Sequence, residues 1–171
     1  MSERADLKGL LLEIDRWIQD PKKGLPQELF FFISRLTPLV SLDLLIKNEI
    51  GETFLTWRQD EFYLGWHVPG GIVRFKEVFK DRIAAIAQSE FGAKVEFNST
   101  PLALNEKITN TRDIRGHFVA LLYECKLVSA PTEAMRCKDP SKPLPNQWMW
   151  HGRCPENLLA QHQVYRKFID P

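Results

Sequence analysis

The chain has 171 residues, 44% hydrophobic and 26% charged, a balance that suits one compact globular domain with a genuine core and is short for two. A formal net charge of +1 provides no electrostatic footprint for nucleic acid or an anionic membrane, so an anionic ligand must be caught locally. The apolar stretch Leu29 to Ile33 is too short for a membrane span, and the first residues lack a basic-then-apolar leader pattern, so a cytoplasmic protein is expected.

Between Ala5 and Ile18, apolar residues recur at Leu7, Leu10, Leu11, Ile14, Trp17 and Ile18, the spacing of an amphipathic helix that Asp20, Pro21 and Gly24 then break. A second helix is predicted from Pro26 to Arg35, and together they form an N-terminal helical extension over 1–35. Leu39 to Ile46 reads as a buried strand that turns at Asn48 to Gly51 into a partner strand ending near Arg58, a hairpin. An aromatic-rich loop from Gln59 to Pro69 leads to the Gly70-Gly71 loop, a short strand, and a helix from about Glu77 to Phe91 that Gly92 stops as a C-cap. Strands are expected around Pro101 to Lys107, Ile114 to Leu127 and Gln147 to His151. Between the last two lies a long loop, Ser129 to Asn146, with four prolines, and a last helix runs from Pro155 to about Phe168. The order β-β-β-α-β-β-β-α predicts an α/β (α+β) fold, a mixed sheet sandwiched between helices, over 36–171. Cys125, Cys137 and Cys154 are odd in number and lack zinc-like spacing, so reduced structural thiols are expected.

The helix after the double glycine carries the chemical signal. Phe79, Ile83, Ile86 and Glu90 share one stripe, which sets a carboxylate among core-facing apolar residues. Glu90 also sits in the last helical turn, where the dipole disfavours negative charge, so a cation or strong donors must offset both costs. An ion pair with a neighbouring Arg or Lys is the plain alternative to a ligand site. Trp66-His-Val-Pro-Gly-Gly71 offers a backbone that approaches a ligand closely. The spacing is what lifts it above an ordinary turn: Gly71, five residues, Glu77, twelve residues, Glu90, one residue, Gly92.

With that spacing the sequence resembles the Nudix family, whose box reads G-x5-E-x7-R-E-U-x-E-E-x-G-U with U aliphatic. Gly71, Glu77, Glu90 and Gly92 match it, while Ala85, Ile86 and Ser89 replace an Arg and two Glu. Three segments look most like the GDP-mannose mannosyl hydrolase branch, which lacks the same two glutamates. They are Thr37-Pro-Leu-Val-Ser-Leu-Asp43, Gly51-Glu-Thr-Phe-Leu-Thr-Trp-Arg58 and Trp66-His-Val-Pro-Gly-Gly71. The resemblance implies a nucleotide-sugar substrate and Mg²⁺, or Mn²⁺ in its place. It makes Glu90, the Gly70 carbonyl and Gln147 metal ligands, Asp43 a catalytic support, and Arg58 the arginine on the departing diphosphate. A homodimer through the N-terminal region is implied by the same analogy. Two arginines of the branch are missing here, at Ala85 and Ile72. Arg82 and Arg74 lie on the same faces and are candidate replacements, with solvated surface arginines as the alternative.

No histidine matches the branch's general base, because Trp148 stands in its place. His117, beside Phe118, is a candidate substrate contact, and His67 precedes the glycines. Both are also ordinary places for a structural histidine, and His151 and His162 carry no signal. Three functions remain: hydrolysis at the sugar's anomeric carbon, pyrophosphohydrolysis at phosphorus, and a nucleotide-sugar binding module without turnover.

Overall fold

A computed structural model describes residues 2–170. Two helices, α1 (Ser2–Trp17) and α2 (Gln27–Ile33), precede strands β1 (Leu39–Ile46), β2 (Thr53–Gln59), β3 (Leu64–His67) and β4 (Gly70–Ile72). Helix α3 (Phe79–Phe91) follows, then β5 (Val95–Phe97), β6 (Ala103–Ile108), β7 (His117–Leu127) and β8 (Trp148–His151). A 3₁₀ turn at Ala160–Tyr165 and the single-turn helix α4 (Arg166–Ile169) close the chain.

The expected mixed sheet is present, in the order β4-β1-β7-β5, with β6 beside β5 on the same edge of β7. β1 and β7 run parallel at its centre, Asp43 opposite Leu122. Beside it stands a second, antiparallel sheet, β3-β2-β8, which the reading of a single sheet did not foresee. β1 and β2 therefore form no hairpin: one isolated bridge joins Lys47 to Thr53, after which each strand enters its own sheet. Both strands are buried along almost their whole length, so each requires covering on two faces.

The corner between them is an Asn-centred turn. Asn48 Oδ1 accepts the amides of Ile50 and Glu52, the latter at 2.9 Å, replacing backbone acceptors that the diverging strands withdraw. Asn48→Ala is expected to cost about 1 kcal/mol, read as a lower urea midpoint with an unchanged slope.

Two further differences have physical causes. Gly70-Gly71 is itself strand, paired with Asp43 and Leu42. The expected C-terminal helix is largely replaced by extended chain and 3₁₀ turn. Its early residues hydrogen-bond to edge strand β3, Trp66 N to Asn157 O and Leu159 N to Trp66 O, a pairing that helical backbone excludes. Gly92 ends α3 in left-handed backbone with φ of 66°, as its C-cap role predicts.

The period-2 alternation of the strands sorts side chains between two cores. Leu42, Leu44 and Ile46 of β1 join Phe54, Ile83, Ile86, Ala87 and Phe91 under α3. Leu45 of β1 joins Leu55, Trp57, Trp66, Leu122, Tyr165 and Ile169 beneath the C-terminal segment. Asp43 shares the face of Leu45, and Thr56 the face of Phe54. The expected amphipathic helix α1 forms, but Leu7, Leu10, Leu11 and Trp17 are all exposed, Trp17 by 76%.

Candidate active site

A cleft with about 510 Å³ of empty space opens over the N-terminal halves of β1 and β7. Asp43, Arg58, Tyr63, His67, Gly70, Lys107, Arg115 and His162 are among its lining residues. Asp43 is 3% exposed and receives two donors on Oδ2, Lys107 Nζ at 2.6 Å and the Tyr165 hydroxyl at 2.5 Å. Buried carboxylates need such partners, and the ammonium supplies the compensating charge. The same alternation that sets Asp43 on this face sets Lys107 of β6 beside it, while the 3₁₀ turn brings in Tyr165. Burial and the adjacent Asp43 raise the Tyr165 pKa, so its hydroxyl stays protonated and donates.

Asp43 also explains the first glycine. A Cβ at position 70 would lie 2.2 Å from Asp43 Oδ1 and 3.0 Å from the Leu42 carbonyl oxygen, so only glycine admits this approach. From there the chain runs back along α3: Gly71 packs on Ile86, and His67 reaches Glu90.

Glu90 has no arginine or lysine partner among the described residues. Its Oε2 accepts the Thr56 hydroxyl at 2.9 Å, with His67 Nε2 at 3.6 Å. His67 Nδ1 faces the Val68 carbonyl at 2.9 Å, an acceptor only, so Nδ1 carries a proton. Burial lowers the His67 pKa, against the opposing charge of Glu90, leaving a neutral ring whose Nε2 lies 3.0 Å from Thr56 Oγ1. Thr56 then has one proton for two acceptors, and a proton arriving on Nε2 would complete the chain His67–Thr56–Glu90.

His162, silent in the sequence, enters the cleft on the 3₁₀ turn. Its Nδ1 accepts the Val68 amide at 3.2 Å, and burial with repulsion from Lys107, His67 and Arg58 holds its pKa well below the usual range. The ring is neutral with the proton on Nε2. Arg58 donates Nε to Asp60 at 2.7 Å and stacks over Tyr63. Lys107, Arg115 and Tyr165 were also missed, since nothing in their local spacing links them to Asp43.

Other predicted residues lie elsewhere. Arg82 forms a bidentate pair with Glu77, at 2.8 and 2.7 Å, one turn before the box position held by Ala85. Its charge is thereby committed, and it lines a separate apolar groove together with Arg74. Arg74 donates to the Lys22 carbonyl at 3.3 Å. Neither is among the cleft-lining residues: Arg74 follows β4 towards the α2 side, and Arg82 on α3 is turned to Glu77. His117 pairs with Glu106 at 3.2 Å outside the cleft. Gln147 Oε1 accepts the Leu144 amide at 2.9 Å; the Pro-Leu-Pro turn holds it there, and it does not converge with Glu90.

The donor set fits one hard cation and no more. Among the described residues no three His, Cys, Asp or Glu side chains converge, and Ile86 is core. The Glu90 side chain is 20% exposed and its second oxygen accepts no protein hydrogen bond among the described residues. Mg²⁺ takes one or two carboxylates and completes its shell with water and phosphate oxygens, and Glu90 is the carboxylate with an oxygen free for that use.

The buried histidines make stability depend on acid. Burial depresses His151 from 6.5 to about 4, Glu52 opposing, so the unfolded chain binds the extra proton first. Stability is then full above pH 6.5 and falls towards pH 4, by on the order of 3 kcal/mol for this group alone. Thermal melts between pH 7 and 4.5 measure the loss, and His151→Phe is expected to shrink it.

No family model matches the sequence. The low-salt glycan biosynthesis protein Agl8 of Haloferax volcanii is 34% identical over 112 residues, which span 63% of this chain and 70% of that protein. A MutT Nudix hydrolase from Burkholderia pseudomallei superposes with a TM-score of 0.60 at 20% identity, over 78% of this chain and 98% of that one. A UDP-X diphosphatase superposes with a TM-score of 0.56 at 17% identity, over 98% of this chain and 77% of that one.

Proposed function

The chain belongs to the family of the archaeal glycan-biosynthesis protein and carries the Nudix hydrolase fold, and from that premise we propose that it hydrolyses a nucleoside-diphosphate sugar, GDP-mannose or a relative, at the anomeric carbon. The observation that carries this reading is the cleft with its neighbour: Arg58 and Lys107 line it, and Glu90, a carboxylate with one uncommitted oxygen, adjoins it through His67. That balance suits departure of a diphosphate, where charge builds on the leaving group, better than a multi-metal attack on phosphorus. A glycan-biosynthesis relative fits a sugar nucleotide as substrate.

Water attacks the anomeric carbon, the bond from that carbon to the diphosphate oxygen breaks, and the products are free sugar, nucleoside diphosphate and one proton. His67 is the proton acceptor, because its neutral Nε2 faces Thr56 and Glu90, which steady the imidazolium. Arg58 and Lys107 receive the leaving diphosphate, and Asp43 with Tyr165 positions the Lys107 ammonium. Neutral His162 offers Nε2–H to a substrate oxygen. Glu90 and the Gly70 carbonyl would hold Mg²⁺ or Mn²⁺, which would supply Lewis-acid neutralisation of the diphosphate.

Phosphorus NMR after incubation with Mg²⁺ and GDP-, UDP- and dTDP-sugars tests the reading. Nucleoside diphosphate plus free sugar is expected. Nucleoside monophosphate plus sugar phosphate would replace it with pyrophosphohydrolysis, and binding without turnover with a sensor module. The exposed apolar face of α1 supports a homodimer, checked by light scattering on gel-filtered protein, where a monomer removes the idea.

A further inference from the structure

Three guanidinium groups crowd one aromatic ring at the rim of the cleft. The Cζ atoms of Arg58, Arg112 and Arg115 lie 4.7, 4.8 and 5.1 Å from the centre of Tyr63. Like charges at this separation repel, and carboxylates would normally be interleaved. Only Asp60 is near. Its Oδ2 takes Arg58 Nε and its Oδ1 takes the backbone amides of Phe62 and Tyr63, so its hydrogen-bonding capacity is largely committed. Arg112 Nη1 reaches the Phe62 carbonyl at 3.4 Å, while Arg112 Nη2 and Arg115 Nε are buried with no partner. Lys107, the other cation lining the cleft, has its own partner in Asp43. Two positive charges are left uncompensated.

Arg115 bears the heaviest cost. Its backbone has φ of 53°, a left-handed conformation that is costly for an arginine and that asparagine or glycine takes readily. Burial, together with repulsion from Arg58 and Arg112, lowers its pKa against the pull of Tyr63 and Asp60. The position is nevertheless built with care. The amide of Arg115 donates to Ser34 Oγ at 3.1 Å, and Ser34, just past α2, donates in turn to the Phe31 carbonyl at 2.8 Å. Phe31 meets Phe62 edge-on at 5.6 Å, and the Phe30 ring lies 5.9 Å from the Arg115 guanidinium. Segment 27–34 is thus the scaffold for this one side chain. A strained, self-repelling arginine that lines a cleft and is braced from a distant segment is explained by an anion the chain does not itself contain.

We propose that Arg115 is a diphosphate-binding residue of the cleft, held in place by the N-terminal segment and supplying, from the β6–β7 loop, positive charge that Ile72 and Ala85 do not. The assignment rests on the nucleoside-diphosphate reading above. It makes α2 part of the binding site rather than an appendage.

Isothermal titration calorimetry with inorganic pyrophosphate and Mg²⁺ tests it without requiring turnover. Arg115→Asn, which suits the left-handed backbone, is expected to weaken pyrophosphate binding about tenfold or more while the melting temperature holds or rises. Arg115→Lys returns part of the affinity, and the exposed charge control Arg136→Gln returns all of it. Unchanged affinity in Arg115→Asn, or no pyrophosphate binding by the unmodified protein, overturns the assignment. Arg115-dependent pyrophosphate binding with no hydrolysis of any sugar nucleotide upholds the anion site and removes the hydrolase reading instead.

Discussion

Replacing Lys107 with methionine is expected to destabilise the protein by about 3–5 kcal/mol, because it leaves the Asp43 carboxylate buried with only the Tyr165 hydroxyl as donor. The side chains of Lys107 and Asp43 are 6% and 5% exposed, so water cannot stand in for the ammonium without opening the core. In a chain of this size such a loss lowers the melting temperature by roughly 10 °C. The double variant Lys107→Met with Asp43→Asn should recover a sizeable part, since the uncompensated charge is gone. Urea unfolding of both single variants and the double closes the cycle. Strictly additive effects would show that the two side chains do not act as a pair. Tyr165→Phe removes one neutral donor and is expected to cost less than either.

Glu90→Gln is expected to reduce metal-dependent turnover by about a hundredfold or more, the scale of removing a principal charge-stabilising group. Glutamine still accepts the Thr56 hydroxyl, so folding is preserved and the loss is assignable to charge. Weaker Mn²⁺ binding, followed by paramagnetic resonance, should accompany it. Full activity with unchanged Mn²⁺ affinity would remove Glu90 from the metal site and leave it a partner of Thr56 and His67. Thr56→Val separates those roles: it keeps the carboxylate, removes the relay hydroxyl, and should alter the pH profile more than metal affinity.

The parts of this molecule legible in the chain are those set by local periodicity. Leu39 to Ile46 announces a buried strand because its apolar run is uninterrupted except at Ser41 and Asp43. The stretch from about Glu77 to Phe91 announces a helix with Glu90 on its inner stripe and Gly92 at its end, and the helix observed is Phe79–Phe91. The Gly71–Glu77–Glu90–Gly92 spacing then pointed to the Nudix fold that structural likeness bears out. The pairing of strands was not legible, because alternation in β1 and β2 specifies two buried faces and leaves open which neighbour buries them.

What the amino-acid order determined by itself is most of the elements and the loss of the box glutamates at Ile86 and Ser89. Tertiary structure decided the remainder of the cleft. Lys107, Arg115 and the pair His162 and Tyr165 come from three separate places in the chain, and each gains chemical meaning only from what lies opposite it: Asp43 for the lysine and the tyrosine, the Val68 amide for the histidine, two other guanidiniums for Arg115. Electrostatic and hydrogen-bonding roles depend on distances of a few ångströms between segments up to 122 residues apart, and no local pattern encodes such distances. Arg74 and Arg82 lie outside the cleft lining for the same reason, since sharing a face with a lost arginine does not fix which groups a side chain meets, and here both meet Glu77.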